Sequence, residues 1–188
     1  MNYLPRSAYV HIPFCHRRCF YCDFAVIPLG NEVETLNGYG SKTVQEYLRF
    51  LYKEILSIKH KAPLSTIYVG GGTPSILDPK QIKDLIDLFR ENYGIDYGAE
   101  ITMEVDPASF NQEDLYGFIH AGINRFSLGV QSFNNQILQK SGRRHLREDA
   151  EKSCLLLKKV YDSGLIKSWS LDLIQNLPLS GFKEWQDD

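Results

Sequence analysis

The feature that most constrains this chain's fold is an alternation. Short β-branched and aromatic runs are separated by longer stretches of helical periodicity. Residues 8–12, 66–69, 100–105, 125–129 and 169–174 read as strands. Between them, residues 42–60 place Val44, Tyr47, Leu48, Leu51 and Ile55 on one helical face. Residues 79–92 read as a helix with Asp78 as N-cap, Pro79 at its first position and Gly94 near its end. Asn111 can cap a helix through Leu115, Phe118 and Ile119 that stops near Gly122. Residues 148–162 form a last helix, with Gly164 as its C-cap. Strands alternating with helices imply an α/β fold with a parallel sheet and right-handed crossovers.

Chemistry-bearing residues follow the strands. The run from His11 to Phe24 holds Cys15, Cys19 and Cys22 as C-x3-C-x2-C. A glycine run, Gly70-Gly71-Gly72-Thr73, follows the second strand. Glu104 and Asp106 end the third, Gln131 follows the fourth and Asp172 lies in the fifth. In α/β barrels the active site forms at the C-terminal strand ends, so these groups should converge on one pocket.

Three thiolates within eight residues can reach one metal centre. A closed structural zinc site needs four ligands, and a fully ligated iron–sulfur cubane also needs four. Three leave one iron open to a small molecule. Two other readings stand beside this one: a zinc site completed by His11 or His16, and a disulfide with one cysteine left over. The chain has four cysteines in 188 residues, with no signal peptide and no paired framework. A reducing, cytoplasmic setting is therefore expected. Cys154 falls with Ala150, Leu157 and Tyr161 on one helical face and is expected in the core. His60 and His120 are expected as exposed helix-end residues.

The cysteine run, with Ala8-Tyr-Val-His-Ile-Pro-Phe-Cys15 before it, resembles the signature of the radical S-adenosylmethionine (SAM) superfamily. It is similar to the oxygen-independent coproporphyrinogen III oxidase family and its haem-chaperone branch, HemW. Gly70–Ser75, Met103–Pro107, Leu128–Phe133, Gly142–His145 and Leu171–Ile174 fit that family in order. The resemblance implies a partial (βα)6 radical SAM barrel that stops after about the fifth strand. Residues 1–188 would be its core domain, without the C-terminal domain of longer relatives.

It also implies roles. Cys15, Cys19 and Cys22 would bind a [4Fe-4S] cluster whose open iron chelates SAM. Reductive cleavage of SAM would give methionine and a 5′-deoxyadenosyl radical. Gly71, Gly72 and Thr73 would hold the methionine end through the backbone, so a side chain at Gly72 should block SAM and spare the cluster. Tyr9 would lie against SAM, and Tyr21 would touch the adenine. Glu104, Gln131, Arg143 and Asp172 match positions around the ribose and carboxylate, with Arg144 as an alternative to Arg143. Arg17 and Arg18 read either as charges that favour cluster reduction or as solvated loop cations.

Phe24 bears on the branch. Coproporphyrinogen oxidases extend the motif to C-x3-C-x2-C-x-C, whereas here the sequence runs Cys22-Asp23-Phe24. That resembles the haem chaperones, which implies haem as ligand, an apo-haemoprotein acceptor and an electron donor. The enzymatic alternative is oxidative decarboxylation of a porphyrinogen. Gln175-Asn176 replaces the glycine usual before Leu-Pro. A net charge of −2 implies no nucleic-acid partner, and no apolar stretch reaches membrane-span length. The 43% apolar and 12% aromatic content suffices for one core.

Overall fold

A computed structural model of the protein describes residues 4–30, 41–58 and 62–188. Its centre is a five-stranded, wholly parallel sheet. We number the strands β1 (Ser7–Ile12), β2 (Phe14–Cys15), β3 (Ile27–Pro28), β4 (Leu64–Gly71), β5 (Ile95–Val105), β6 (Arg125–Gln131) and β7 (Ser168–Leu173). The main sheet runs β1-β4-β5-β6-β7, so sequence order is spatial order, and β2 and β3 form a separate two-stranded pair. The helices are α1 (Lys42–Ser57), α2 (Pro79–Asn92), α3 (Gln112–Ala121), α4 (Asn135–Lys140), α5 (Arg147–Asp162) and α6 (Phe182–Asp187), with a 3-10 turn at Pro74–Ile76.

The sheet is built on strict alternation. Val10, Ile12, Ile67, Val69, Ile101, Met103, Val105, Phe126, Leu128 and Val130 are buried on one face. There they join Val44 and Leu48 of α1, Ile82, Leu85 and Ile86 of α2, Leu115 and Phe118 of α3, and Ala150, Leu157 and Val160 of α5 in one core. The intervening residues point to the opposite, polar face. On it Tyr9 stacks on Tyr68, Tyr68 bonds Glu104, and Ser127 bonds Asp172.

Helix starts follow the capping chemistry. Asp78 accepts from Lys80 N, and Gln81 returns a bond to Asp78 N. Asn111 accepts from Glu113 N and Asp114 N, with Asp114 bonding back.

Three expectations need correction. The first helix ends at Ser57, because Ile58 is already extended; residue 60 lies outside the described residues, and with it the expectation for His60. Strand β5 begins five residues earlier than the sequence pattern indicated, with a register shift on its β4 pairing. The buried stripe of α5 is Ala150, Ser153, Leu157 and Val160. Ser153 holds the centre by donating to Pro107 O at 3.2 Å, which turns Cys154 to the half-buried margin and leaves Tyr161 exposed. His120 is exposed at a helix end, as expected. Among the described residues, no helix is long and apolar enough to cross a membrane.

Candidate active site

A cavity of about 280 Å³ opens at the C-terminal strand ends. All but one of the residues assigned to the site by sequence line it: Cys15, Cys19, Tyr21, Cys22, Gly71, Gly72, Thr73, Glu104, Gln131, Arg143 and Asp172. The exception is Tyr9. It sits on the polar face near the start of β1, 60% exposed, with its hydroxyl 3.2 Å from His11 Nδ1. It borders a different hollow, between β1 and α1. Its row neighbour Tyr68 is what reaches the cavity-lining Glu104.

The cysteine loop begins where β1 gives way to β2 and is clasped by backbone bonds. Gly72 N donates to Ile12 O at 2.8 Å and Thr73 N to Phe14 O at 2.7 Å, which joins the loop to the glycine run. Leu29 N donates to Cys15 O, Phe20 N to Ser141 O and Cys22 N to Cys19 O. Arg18 Nε donates to Cys22 O at 2.9 Å, and Arg17 bonds Arg143 O. Arg18 thus braces the loop backbone, and Arg17 ties the loop to the backbone at Arg143. His11 Nε2 lies 3.2 Å from Ala25 O, so both its nitrogens face partners other than the cysteines.

Burial pushes the Cys15 thiol pKa up, opposed by a hydrogen bond from Thr73 Oγ1 at 3.4 Å and reinforced by nearby Cys22 and Cys19. Among the described residues, no three metal-ligating side chains are gathered tightly enough for a single ion. A cubane distributes its thiolates over separate irons, so it asks for a cysteine-lined wall rather than one tight shell.

Glycine is required where the two loops meet. A Cβ at Gly72 would fall 2.6 Å from Phe14 O and 2.9 Å from Cys15 Sγ. One at Gly71, where φ is 119°, would fall 2.6 Å from His11 Nδ1. This revises the expectation for Gly72: a side chain there strikes the cysteine loop itself, so it disturbs the metal ligands as well as any SAM contact.

Glu104 is fixed at both oxygens, accepting from Tyr68 Oη at 2.8 Å and from Gly71 N at 3.0 Å. Burial, then the Glu104 bond, raises the Tyr68 pKa. Asp172 Oδ2 accepts from Ser127 Oγ at 3.0 Å. Gln131 has φ of 73°, a region rarely taken by a residue with a side chain. Its carbonyl accepts from Ile174 N at 3.0 Å, which ties β6 to the segment after β7.

Of the paired arginines, Arg143 is the one turned inward, its side chain 11% exposed. It pairs with Asp106, donates to Gly129 O at 2.6 Å, and lies 3.5 Å from Tyr21 Oη and 3.7 Å from Cys19 Sγ. Its Nε is buried without a hydrogen-bond partner among the described residues, so the site retains an unused cationic donor. Arg144 is exposed at the cavity rim. Asp106 and Ser127 also line the cavity; sequence reading placed Asp106 at this edge without a ligand role and did not single out Ser127. The signal was parity: Asp106 is two residues beyond Glu104, and Ser127 four before Gln131.

The radical SAM superfamily model matches residues 9–169. The chain belongs to the radical SAM superfamily. It is 41% identical over 183 residues to the haem chaperone HemW of Synechocystis sp., covering 97% of this chain and 42% of that one. It is 37% identical over 180 residues to the oxygen-independent coproporphyrinogen III oxidase of Salmonella typhimurium, covering 93% of this chain and 36% of the relative. The solved structure of coproporphyrinogen III oxidase HemN from Escherichia coli, a radical SAM enzyme, superposes with a TM-score of 0.81 at 32% identity. The match covers 98% of this chain and 40% of HemN. The chain therefore spans about two fifths of the length of these relatives.

Superfamily membership implies a [4Fe-4S] cluster and SAM, and the residues fit them. A three-cysteine wall, glycines that admit no side chain, and a buried arginine with a spare donor suit a site-differentiated cluster and a zwitterionic ligand.

Proposed function

We propose that residues 1–188 form the cluster- and SAM-binding core of a haem-chaperone-type protein, which binds haem and passes it to apo-haemoproteins in the cytoplasm. The observation that carries this reading is Phe24. It stands where the oxidase motif has its fourth cysteine, and it lines the cavity while 63% exposed. An apolar ring there suits a flat hydrophobic ligand better than a thiol would.

In this reading Cys15, Cys19 and Cys22 hold the cluster. The backbone at Gly71 to Thr73 meets the methionine end of SAM. Arg143, held by Asp106, offers its spare donor to the SAM carboxylate. Glu104, Gln131 and Asp172 meet the ribose, and Tyr21 the adenine. When bound, cluster and SAM supply one-electron chemistry, with an electron donor as further partner. Oxidative decarboxylation of coproporphyrinogen is the second reading, favoured by the superposition on HemN.

Anaerobic reconstitution followed by two assays tests the proposal. Iron and sulfide should load the wild type. Cys15→Ala, Cys19→Ala and Cys22→Ala should each lose most of the iron, whereas Cys154→Ala should keep it. Haem should bind, and coproporphyrinogen should remain unconverted. Zinc without sulfide would replace the cluster by a zinc site, and robust conversion to protoporphyrinogen would promote the oxidase.

A further inference from the structure

Below the cavity, the polar face of the sheet holds a second group of side chains. Tyr9, Tyr68, Thr102, Arg125 and Ser168 lie in one row of the register, each beside the next on neighbouring strands. Arg125 is two residues before Ser127 on β6, so this row lies about 7 Å deeper than the one lining the cavity. Among the described strand residues of this face, Arg125 is the one arginine or lysine.

Its environment is unusual for an arginine. The side chain is half-buried. Its Nη2 donates to Ser170 Oγ at 3.2 Å, and among the described residues it forms no ion pair. Neither carboxylate above it pairs with it: both oxygens of Glu104 are occupied by Tyr68 and Gly71, and Asp172 accepts from Ser127 at one oxygen. Two more hydroxyls lie near the Arg125–Ser170 contact. Ser127 Oγ lies 3.3 Å from Ser170 Oγ, and Tyr68 is close enough for the arginine's charge to act on its phenol. A half-buried guanidinium with free donors is matched by a planar carboxylate taking two parallel hydrogen bonds, and the hydroxyls can fill its remaining lone pairs.

We infer that Arg125 is a specificity-determining anchor for a carboxylate of the macrocyclic ligand, such as a haem propionate. The carboxylate would then sit on the polar face beneath the cavity, with the ring on its cavity side. This rests on the haem reading above and adds to it a location and a polarity, carboxylate end down.

Titration of ferric haem and of haem dimethyl ester into the anaerobically reconstituted protein tests it. The ester keeps the ring and the iron but removes the negative charges. Wild type should prefer haem over the ester by about tenfold or more, the effect of one charge-assisted hydrogen-bonded contact. Arg125→Gln should abolish that preference by weakening haem alone, and Arg125→Lys should restore part of it. Iron content and SAM affinity should be unchanged in both variants, which separates lost recognition from a damaged fold. A wild-type preference that survives in Arg125→Gln overturns the anchor and leaves the haem reading standing. Binding of neither ligand by the wild type overturns the haem reading, and the anchor with it.

Discussion

The two faces of the central sheet are made by the same strands and obey opposite rules. On the helix face, Phe126, Leu128 and Val130 are fully buried against aliphatic neighbours. Between them on β6, Arg125, Ser127, Gly129 and Gln131 face bonded polar groups or the cavity wall. One face supplies burial free energy and the other supplies directed donors and acceptors. A one-residue slip of register would exchange them completely. The parity of a strand residue therefore forecasts whether its loss is felt as instability or as lost recognition.

The sharpest test sets neighbours against each other. Phe126→Ala removes a fully buried ring and should cost about 3–5 kcal/mol in urea denaturation. Ser127→Ala, one residue on, should cost about 1 kcal/mol or less while weakening SAM binding. Equal destabilisation by the two would break the division of labour. Gly72→Val comes next, because its branched side chain meets Phe14 O and Cys15 Sγ. A loss of about 1–3 kcal/mol from overpacking is expected, together with reduced iron on reconstitution; full iron loading would show that the two loops can separate. The smallest effect is that of Tyr68→Phe. It removes the hydroxyl that orients Glu104 and should cost about 1 kcal/mol of stability, with a larger proportional loss of SAM affinity. SAM affinity unchanged in that variant would leave Glu104 positioned by Gly71 N alone.

Much of this was legible before any coordinates. The strand–helix alternation, the caps at Asp78 and Asn111 and the convergence of motifs at one sheet edge are local patterns, carried by period and turn chemistry. The short elements α4, α6 and the β2–β3 pair were not foreseen, since six residues or fewer carry too little periodicity. The pairing of Arg143 with Asp106, and the contact between Gly72 and Cys15, join residues distant in sequence. Such contacts depend on register and loop path, which composition and spacing do not encode.

The clasp between the cysteine loop and the glycine run has a consequence for the order of events during folding. Ser7 lies beside Thr66 in the β1–β4 register, so this pairing closes a long crossover and is slow relative to helix formation. The bonds from Gly72 to Ile12 and from Thr73 to Phe14 extend that same pairing into the loop. Until β1 and β4 zip, the thiols have no common wall. Assembly of the cluster that the superfamily implies would thus be a late event, on a chain whose topology is already set.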